Sequence, residues 1–577
     1  MLPWLLMLLP AVFYLFQLNS FGRIEYDDYY GILPQVMDGT HLSRSPLRWL
    51  LLKSNEHSVT LPAVAFALNA WATSGDNRAL SALAVVLLLG VTMLLWRSLP
   101  RVFFSFKALR AAGPLLLSGL LLSPAGAYSV VMGFSGVIWF MSIAFSVLAI
   151  VLLRRGAKSR SLVPMGAVIV AGWASVLSFG TGLFLWPALV VGAAIYRMPW
   201  RRLIALCAGA VVPYAFAALT YVRPPGHPGL HLAKPWLLVE FFAVYLGSFL
   251  AANRWAAGVI GLAGLAGAGL LAVVFLRDSD AETADELAPW AMLVTYAVGN
   301  AVGTAVARAT LGGARSSRYA PVAALFWIGL LVIACALAWR AADRRDPSRP
   351  VGLLVPTLCL LAPLAATWWR GLPIFAGWVE RATWQGIAEL ALTHGVYDPD
   401  VLEAVSVAPR EAFSQRAFLA RCRQVPFERP PSAPVHLDGP AAGESAAPCP
   451  TFRARVTTVH PVDGDTARVE GVLEGEAPPV PELLVVDGEG RLRGVLRVLP
   501  TPALLARIGV PGGRAVRWAG YLRPAGSDDP VRIFWRGPGG GERLCPVSDP
   551  WQASDRWPGP SLVGVWKQPL GLRQNTP

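Results

Sequence analysis

Charged residues are scarce in this chain of 577 residues. Asp, Glu, Lys and Arg together make up 15% of it, and hydrophobic residues make up 54%, whereas about a quarter of an ordinary soluble protein is charged. The mean hydropathy is +0.49. This composition excludes a soluble domain as the bulk of the chain and indicates a polytopic membrane protein.

The sequence also lacks the short motifs of several enzyme and metalloprotein classes. No Cys-x-x-Cys spacing points to structural zinc, and nothing matches a Walker loop or a dinucleotide-binding fingerprint. The net charge of +14 would suit nucleic acid, but basic residues also collect on the cytoplasmic loops of membrane proteins. Because they collect in such loops here, we expect no nucleic-acid partner.

Long apolar stretches alternate with short polar loops over residues 1–370. A helix needs about 20 residues to cross a bilayer, and we predict about eleven spans. They are residues 1–18, 79–96, 112–128, 133–153, 162–178, 180–196, 203–221, 255–276, 288–310, 319–340 and 350–369. Residues 58–71 and 236–250 are predicted to lie at the membrane surface, because counting either as a span would export a basic cluster.

The basic residues set the predicted orientation. They cluster at residues 97–110, 154–160, 197–202 and 340–349, which share one side if the amino terminus is cytoplasmic. The acidic loop 277–286 is assigned to that side too, although its charge argues for neither. The polar loop after the first span and the carboxyl-terminal region are then periplasmic. Richness in Gly, Pro, Ala and Arg suggests the inner membrane of a GC-rich bacterium.

The composition changes beyond residue 370. Residues 371–450 read as helical pieces followed by a linker rich in Pro, Ala and Ser. Over 451–577, short alternating runs separated by Gly-rich turns predict a β-sandwich-like periplasmic domain. We predict a mainly α chain in which this domain is a binding or spacing module. A disulfide between Cys449 and Cys545, which this location permits, would brace its two ends.

A polar outer loop, residues 19–78, follows the first span. It contains the adjacent carboxylates Asp27 and Asp28 and, further on, Glu56 and His57. Neighbouring carboxylates raise one another's pKa, which suits a general base that acts near neutral pH. In an extended backbone their side chains diverge, so we expect one of the pair, preferably Asp28, to face a site.

Cationic side chains that could hold a phosphate lie near the same predicted membrane face. Arg318 and Tyr319 stand at the outer start of the span 319–340, and Arg78 and Lys53 are further candidates. A guanidinium group matches phosphate oxygens in shape and charge. The alternative for Arg318 and Tyr319 is a basic and aromatic anchor at the membrane interface.

A divalent metal ion is a further hypothesis for the outer loop. Asp28 with Glu56 or His57 would supply hard or borderline ligands, and the alternative is that these are surface polar residues and helix caps. The Gly-rich turn 178–182 between two spans also has two interpretations. It is either the smallest turn that joins two helices or a backbone that approaches a substrate.

This layout resembles the GT-C superfamily of membrane glycosyltransferases, whose first long extracytoplasmic loop carries an adjacent acidic pair. Asp27 and Asp28 match that pair, and Arg78, Arg318 and Tyr319 match further features within residues 1–370. The resemblance implies an inverting enzyme, sometimes metal-dependent, that acts at the extracytoplasmic face. It would move a hexosyl or pentosyl group from a polyprenyl-phosphate donor to a cell-envelope glycan, lipid or protein.

The chain departs from that family at one point and leaves another function class open. Where many relatives have His-Pro-Pro, it has Asn55-Glu56-His57-Ser58, which leaves donor, acceptor and metal dependence open. The alternatives are a transporter or flippase, an assembly protein for surface polysaccharide, or an enzyme scaffold that has lost activity. Transporters usually carry charged or broken helices near the bilayer midplane, where Glu240 and Arg308 are among the few candidates.

Overall fold

The computed structural model describes most of the chain and leaves several segments out. The described residues are 2–24, 29–38, 41–42, 46–105, 107–159, 161–222, 234–310, 312–343, 351–406, 409–427, 453–463, 466–474, 482–487, 492–499, 516–522, 531–536, 544–546 and 548. The chain forms two compact units. The first comprises Met1–Phe16, Arg44–Ala67 and Ala79–Phe375, and the second comprises Gln17–Ser43, Leu68–Arg78 and Ala376–Pro577.

Helices dominate the described residues, and a sheet follows near the carboxyl terminus. The α-helices are α1 Leu2–Gln17, α2 Tyr29–Val36, α3 Pro46–Leu50, α4 Thr60–Thr73, α5 Asn77–Arg97, α6 Lys107–Leu121, α7 Ala127–Val131, α8 Gly133–Lys158, α9 Val163–Val176, α10 Leu185–Ile195, α11 Trp200–Leu219, α12 Pro235–Gly247, α13 Arg254–Asp278, α14 Ala281–Arg308, α15 Ala320–Asp343, α16 Val351–His394, α17 Pro399–Leu402, α18 Pro409–Ser414 and α19 Arg416–Arg421. The strands are β1 Met37–Asp38, β2 His41–Leu42, β3 Lys53–Ser54, β4 His57–Ser58, β5 Arg453–Asp463, β6 Thr466–Glu474, β7 Glu482–Asp487, β8 Leu492–Val498, β9 Val516–Leu522, β10 Val531–Arg536 and β11 Leu544–Pro546.

Eight helices among the described residues are long and apolar enough to cross a membrane. They are Leu2–Ser20, Asn77–Arg97, Gly113–Val131, Gly133–Lys158, Trp200–Leu219, Arg254–Arg277, Ala281–Arg308 and Ser317–Arg340. Each matches a predicted span, which confirms a mainly helical, multi-pass membrane protein.

Two predicted spans were wrong in length, and a third is only partly described. Residues 162–178 and 180–196 form the shorter helices Val163–Val176 and Gly180–Ile195. The first has 14 residues and reaches about 21 Å at 1.5 Å per residue, less than the ~30 Å of a bilayer core. The turn between them was predicted, but apolar composition could not show that a 3₁₀ segment, Gly180–Phe184, would take up the start of the second stretch. Of the last predicted span, 350–369, residues 351–369 lie within α16, where some side chains are outside the described set.

The two stretches predicted to lie at the membrane surface form α4 and α12. These helices have 14 and 13 residues, so neither is long enough to span. Small residues let α12 pack closely on α13. A Cβ at Gly247 would lie 1.8 Å from the backbone oxygen of Ala257, and one at Gly261 would lie 1.9 Å from that of Ala243. Glycine is therefore needed at both contacts.

The second unit contains one seven-stranded antiparallel sheet that curves into a half-barrel. Its order is β11-β10-β7-β8-β9-β6-β5. The seven strands confirm the short alternating runs that the sequence predicted over this region. The expectation of a sandwich was wrong, because these strands belong to one sheet. Its apolar face is packed around Trp518, whose ring lies over Gly471, at 2.2 Å from where a Cβ would stand. Hydrophobic alternation predicts a buried face but does not distinguish one curved sheet from two stacked sheets.

Polar groups of the sheet bond to the segment that precedes it in the second unit. Arg497 Nη1 lies 2.5 Å from Glu389 Oε2. Buried Arg468 pairs with Asp398 and, at 2.9 Å, with Glu470. Burial alone would lower the pKa of Arg468, but the two carboxylates outweigh it and raise that pKa. The sheet is thus anchored to α16 and to the start of α17 by charge-assisted bonds.

Backbone and amide bonds tie distant parts of the chain together in the second unit. The Asn77 side chain donates to Gly22 O at 2.8 Å, and the Val425 amide donates to Ser74 O at 2.8 Å. Parts of the outer loop therefore pack with the carboxyl-terminal region. The predicted disulfide stays a prediction, since Cys449 and the side chain of Cys545 lie outside the described residues.

Candidate functional site

Ion pairs mark one end of the helix bundle in the first unit. Arg101 lies 2.5 Å from Glu282, Lys158 lies 2.5 Å from Asp285, and Arg340 lies 3.2 Å from Glu286. These pairs join the ends of several spans to the acidic start of α14. The acidic loop 277–286 therefore shares an end of the bundle with the basic clusters, as the sequence analysis expected. Which membrane face this end occupies stays a prediction.

The opposite end carries most of the predicted site residues that the structure describes. A two-residue hairpin joins β3 to β4, with Ser54 paired to His57. Its first loop residue, Asn55, has φ 52°, a left-handed conformation that asparagine tolerates better than most residues. The hairpin thereby places Glu56 and His57 side by side.

Glu56 lies between an imidazole and a guanidinium group. His57 Nε2 is 3.3 Å from Glu56 Oε1, and Arg308 Nη2 is 3.5 Å from the same oxygen. The side chains of Glu56, His57 and Arg308 are only 13%, 24% and 21% exposed. The carboxylate of Glu56 can therefore contact both groups and orient the imidazole. We call this group the Glu56 triad.

An aromatic row leads from the Glu56 triad to Tyr319. The His57 ring centroid lies 4.2 Å from that of Phe179, and Phe179 lies 4.8 Å from Trp139. Trp139 lies 6.0 Å from Tyr319, which stacks on Tyr245 at 4.8 Å. These separations fall in or near the 4.5–7 Å range that is favourable for aromatic pairs. The rings are tilted to one another, and Trp139, Tyr319 and Tyr245 are buried, so the row is a packed aromatic core behind the Glu56 triad.

The turn 178–182 supports the row. A Cβ at Gly180 would lie 2.3 Å from His57 Nδ1, so the imidazole rests directly on the glycine. The hydroxyl of Thr181 bonds to Ser142 at 2.8 Å, and Ser142 bonds to Ser175 at 3.1 Å. The turn joins two helices tightly and contacts His57, and an approach of its backbone to a substrate stays a prediction.

Arg318 and Lys53 also lie at this end, each with partners of its own. The Arg318 guanidinium is 5.3 Å from the centroid of the Tyr128 ring, a cation–π distance. Lys53 Nζ donates to Thr220 Oγ1 at 2.8 Å, and burial lowers the pKa of Lys53. The geometry is compatible both with a phosphate-binding role for Arg318 and with the interfacial anchor that the sequence left open.

Arg78 belongs to the second unit and is held by a carboxylate. Its Nε and Nη2 atoms lie 3.0 and 2.6 Å from the two oxygens of Asp76, and Arg23 lies 3.6 Å from Asp76. Such a bidentate pair positions the start of α5. A substrate role for Arg78 stays a prediction that would require this pair to open.

The predicted bases Asp27 and Asp28 lie outside the described residues. No group of three or more His, Cys, Asp or Glu side chains that could hold a metal occurs among the residues described. Glu56 and His57 offer two donors, and Asp28 would have to complete the site. The metal hypothesis therefore stays a prediction.

Several members of this site were missed by the sequence analysis. Arg308 was singled out only as a charge within an apolar stretch, Trp139 was counted in a span, Phe179 in the turn 178–182, and Tyr245 in the surface stretch 236–250. In the predicted topology, Arg308 and Phe179 lie at helix ends on the same side of the membrane. That position was the sequence signal that could have identified them. Comparison with protein-family models, curated proteins and solved structures found no match for this chain.

Proposed function

We propose that this chain is an integral membrane glycosyltransferase that uses a polyprenyl-phosphate sugar donor. One observation carries the proposal: the Glu56 triad and Arg318 are joined by an aromatic row at one end of a membrane-spanning bundle. A carboxylate and guanidinium groups held at fixed positions are the chemistry that a sugar phosphate at a membrane surface would need.

In the proposed reaction, an acceptor hydroxyl oxygen attacks the anomeric carbon of the donor sugar. The bond from that carbon to the phosphate oxygen breaks, and the electron pair leaves with the phosphate. The hydroxyl proton passes to a carboxylate, for which Asp28 or Asp27 is the predicted base. Glu56, with His57, is the described pair that can take the same role.

The guanidinium groups would stabilise the departing phosphate. Arg318 and Arg308 offer planar donors matched to phosphate oxygens, and Tyr319 adds a hydroxyl. Arg308 next to Glu56 also supplies positive charge that a metal would otherwise provide, so a divalent ion is optional in this scheme.

The proposal extends to location and partners. We assign the protein to a bacterial inner membrane, with the amino terminus in the cytoplasm and the carboxyl-terminal domain in the periplasm. The partners would be a lipid-linked sugar, membrane lipid and a cell-envelope acceptor. The half-barrel sheet is proposed as a binding or spacing module for the acceptor or for a partner protein.

Cells that carry single substitutions would test this proposal. We expect Glu56→Gln, and Asp28→Asn or Asp27→Asn, to lose the same surface glycan or lipid-linked sugar change as a deletion, with normal protein levels in the membrane. Glu240→Gln is a matched control, because Glu240 pairs with Arg254 at 2.5 Å and lies outside the Glu56 triad and the aromatic row.

The transporter or assembly alternative predicts another pattern. Carboxylate variants at the proposed site would then leave the glycan unchanged, whereas Glu240→Gln, within the apolar helix α12, would impair it. That combination would contradict the transferase proposal.

A further inference from the structure

Arg370 is a shielded cation in α16, just beyond the predicted span 350–369. Its Nε and Nη1 atoms are inaccessible to solvent and have no hydrogen-bond partner among the residues that the structure describes. A guanidinium group keeps its charge at physiological pH and carries five N–H donors. Burying such a group without an acceptor is strongly unfavourable. The side chain is therefore set up for an anion.

Arg315 precedes α15, whose start packs in the same place as Arg370: a Cβ at Gly126 would lie 3.5 Å from Pro321 Cδ, next to the contact between Gly371 and Ala125. Burial, and then the positive charge of Arg315, lowers the pKa of the Arg370 guanidinium, so the two charges repel. Arg315 Nη1 donates to the backbone oxygen of Ala252 at 2.8 Å, which holds the side chain in place despite that repulsion. Two cations held together, with no carboxylate paired to either in the described part of the chain, attract an anion that can contact both.

The surroundings place these two arginines at the end of the bundle that carries the proposed active site. A Cβ at Gly371 would lie 2.3 Å from the backbone nitrogen of Ala125, so α16 passes directly against the segment that leads to Tyr128. The guanidinium of Arg318 lies over the Tyr128 ring. The side chain of Trp369 is 84% exposed, as is usual for an aromatic residue at the level of lipid headgroups.

We propose that Arg370 and Arg315 form a binding site for the phosphate group of a lipid. Arg370 would donate two parallel N–H bonds to phosphate oxygens, and Arg315 would add a second charge from the solvent-exposed side. The site itself is independent of the proposed function. Its assignment to a polyprenyl phosphate, rather than to the headgroup of an ordinary anionic phospholipid, rests on that function.

Lipid titration of the purified full-length protein, followed by native mass spectrometry, tests this proposal. The probes are polyprenyl phosphate, uncharged polyprenol and phosphatidylglycerol. We expect polyprenyl phosphate to bind at least about tenfold more tightly than polyprenol, because a bidentate charge-assisted contact is lost with the phosphate. Arg370→Gln should abolish that preference, and Arg315→Gln should reduce it. Arg277→Gln, an exposed arginine near the end of α13, should not change it.

Thermal unfolding separates a binding role from a structural one. In lipid-free protein, Arg370→Gln should leave the melting temperature unchanged or raise it, because the substitution removes a shielded charge that lacks an acceptor. A large fall in the melting temperature would overturn the proposal, as would equal phosphate preference in wild type and in Arg370→Gln. If Arg370→Gln fails to fold, Arg315→Gln provides the test, because Arg315 is exposed. Unchanged lipid binding in Arg315→Gln would also overturn the proposal.

The comparison of lipid probes distinguishes a failure of this binding site from a failure of the proposed activity. Equal binding of phosphatidylglycerol and polyprenyl phosphate, with both lost in Arg370→Gln, would support a lipid-phosphate site that ordinary phospholipid occupies. Phosphate preference that depends on Arg370, together with absent sugar transfer, would support the site and contradict the transferase. Transfer that persists without any phosphate preference would overturn the site alone.

Discussion

Replacing Gly180 with alanine tests whether the turn after α9 positions His57. A Cβ at this position would lie 2.3 Å from His57 Nδ1, well inside the 3.4 Å at which ordinary contact begins. The imidazole would have to move by about 1 Å, and overpacking of this kind typically costs about 1–3 kcal/mol. Because His57 lies in a short hairpin and is partly exposed, we expect about 1 kcal/mol, which leaves the protein folded.

The expected effect on activity is larger than the effect on stability. A displacement of about 1 Å in a group that positions a substrate can lower the rate by roughly 100-fold. We therefore expect Gly180→Ala to lose most sugar transfer, measured with labelled donor in membranes, while its membrane level and melting temperature stay near those of the wild type.

Two glycines in open surroundings serve as controls. A Cβ at Gly90 or Gly166 would meet nothing within 4 Å, and alanine in a helix interior is favoured over glycine by up to about 1 kcal/mol. Gly90→Ala and Gly166→Ala should therefore retain transfer. If Gly180→Ala transferred sugar as the wild type does, the link between this turn and His57 would be refuted.

Three further predictions concern the carboxyl-terminal unit. Trp518→Ala should destabilise the sheet by about 3–5 kcal/mol because it opens a cavity in the core, and a loss below about 1 kcal/mol in denaturant unfolding would contradict this. Arg468→Met should lower the stability by about 3–5 kcal/mol because it leaves the charges of Asp398 and Glu470 buried without their partner. Amide hydrogen exchange in β6 measures this loss, and unchanged protection would contradict the prediction. Burial, then the charge of Arg468, lowers the pKa of His460, so the unfolded chain binds the extra proton first as the pH falls below about 6.5. Stability should therefore fall below that pH, and the fall should be smaller in His460→Gln; an equal fall in both proteins would contradict the assignment.

Much of the fold followed from composition and alternation. Runs of about 20 apolar residues predicted the helices Asn77–Arg97 and Ser317–Arg340 because a bilayer imposes that length. Period-two alternation predicted β6 and β9 because one face of each strand is apolar and packs in the core of the sheet, with Val469 in β6 and Trp518 in β9. What alternation could not predict was the curvature of the sheet, since Gly471 beneath Trp518 matters only once strand order is known.

The site was less predictable because its contacts join distant parts of the chain. Glu56 meets Arg308 across 252 residues, and no local pattern encodes that pairing. His57 was chosen for the polar loop around it, whereas the ring it contacts, Phe179, lies in a turn that looked like a simple connection. Aromatic residues such as Trp139 are equally common as membrane packing, so sequence alone gave no reason to select them.

The most direct test of the central claim is sugar transfer by the purified protein in vesicles supplied with polyprenyl-phosphate sugars and an envelope-glycan acceptor fraction. The account predicts that labelled sugar passes to the acceptor, that free polyprenyl phosphate appears in equal amount, and that Glu56→Gln or Asp28→Asn lowers the rate by at least about 100-fold. Absence of transfer with every donor tried, in protein that is folded and binds the donor, would contradict the claim.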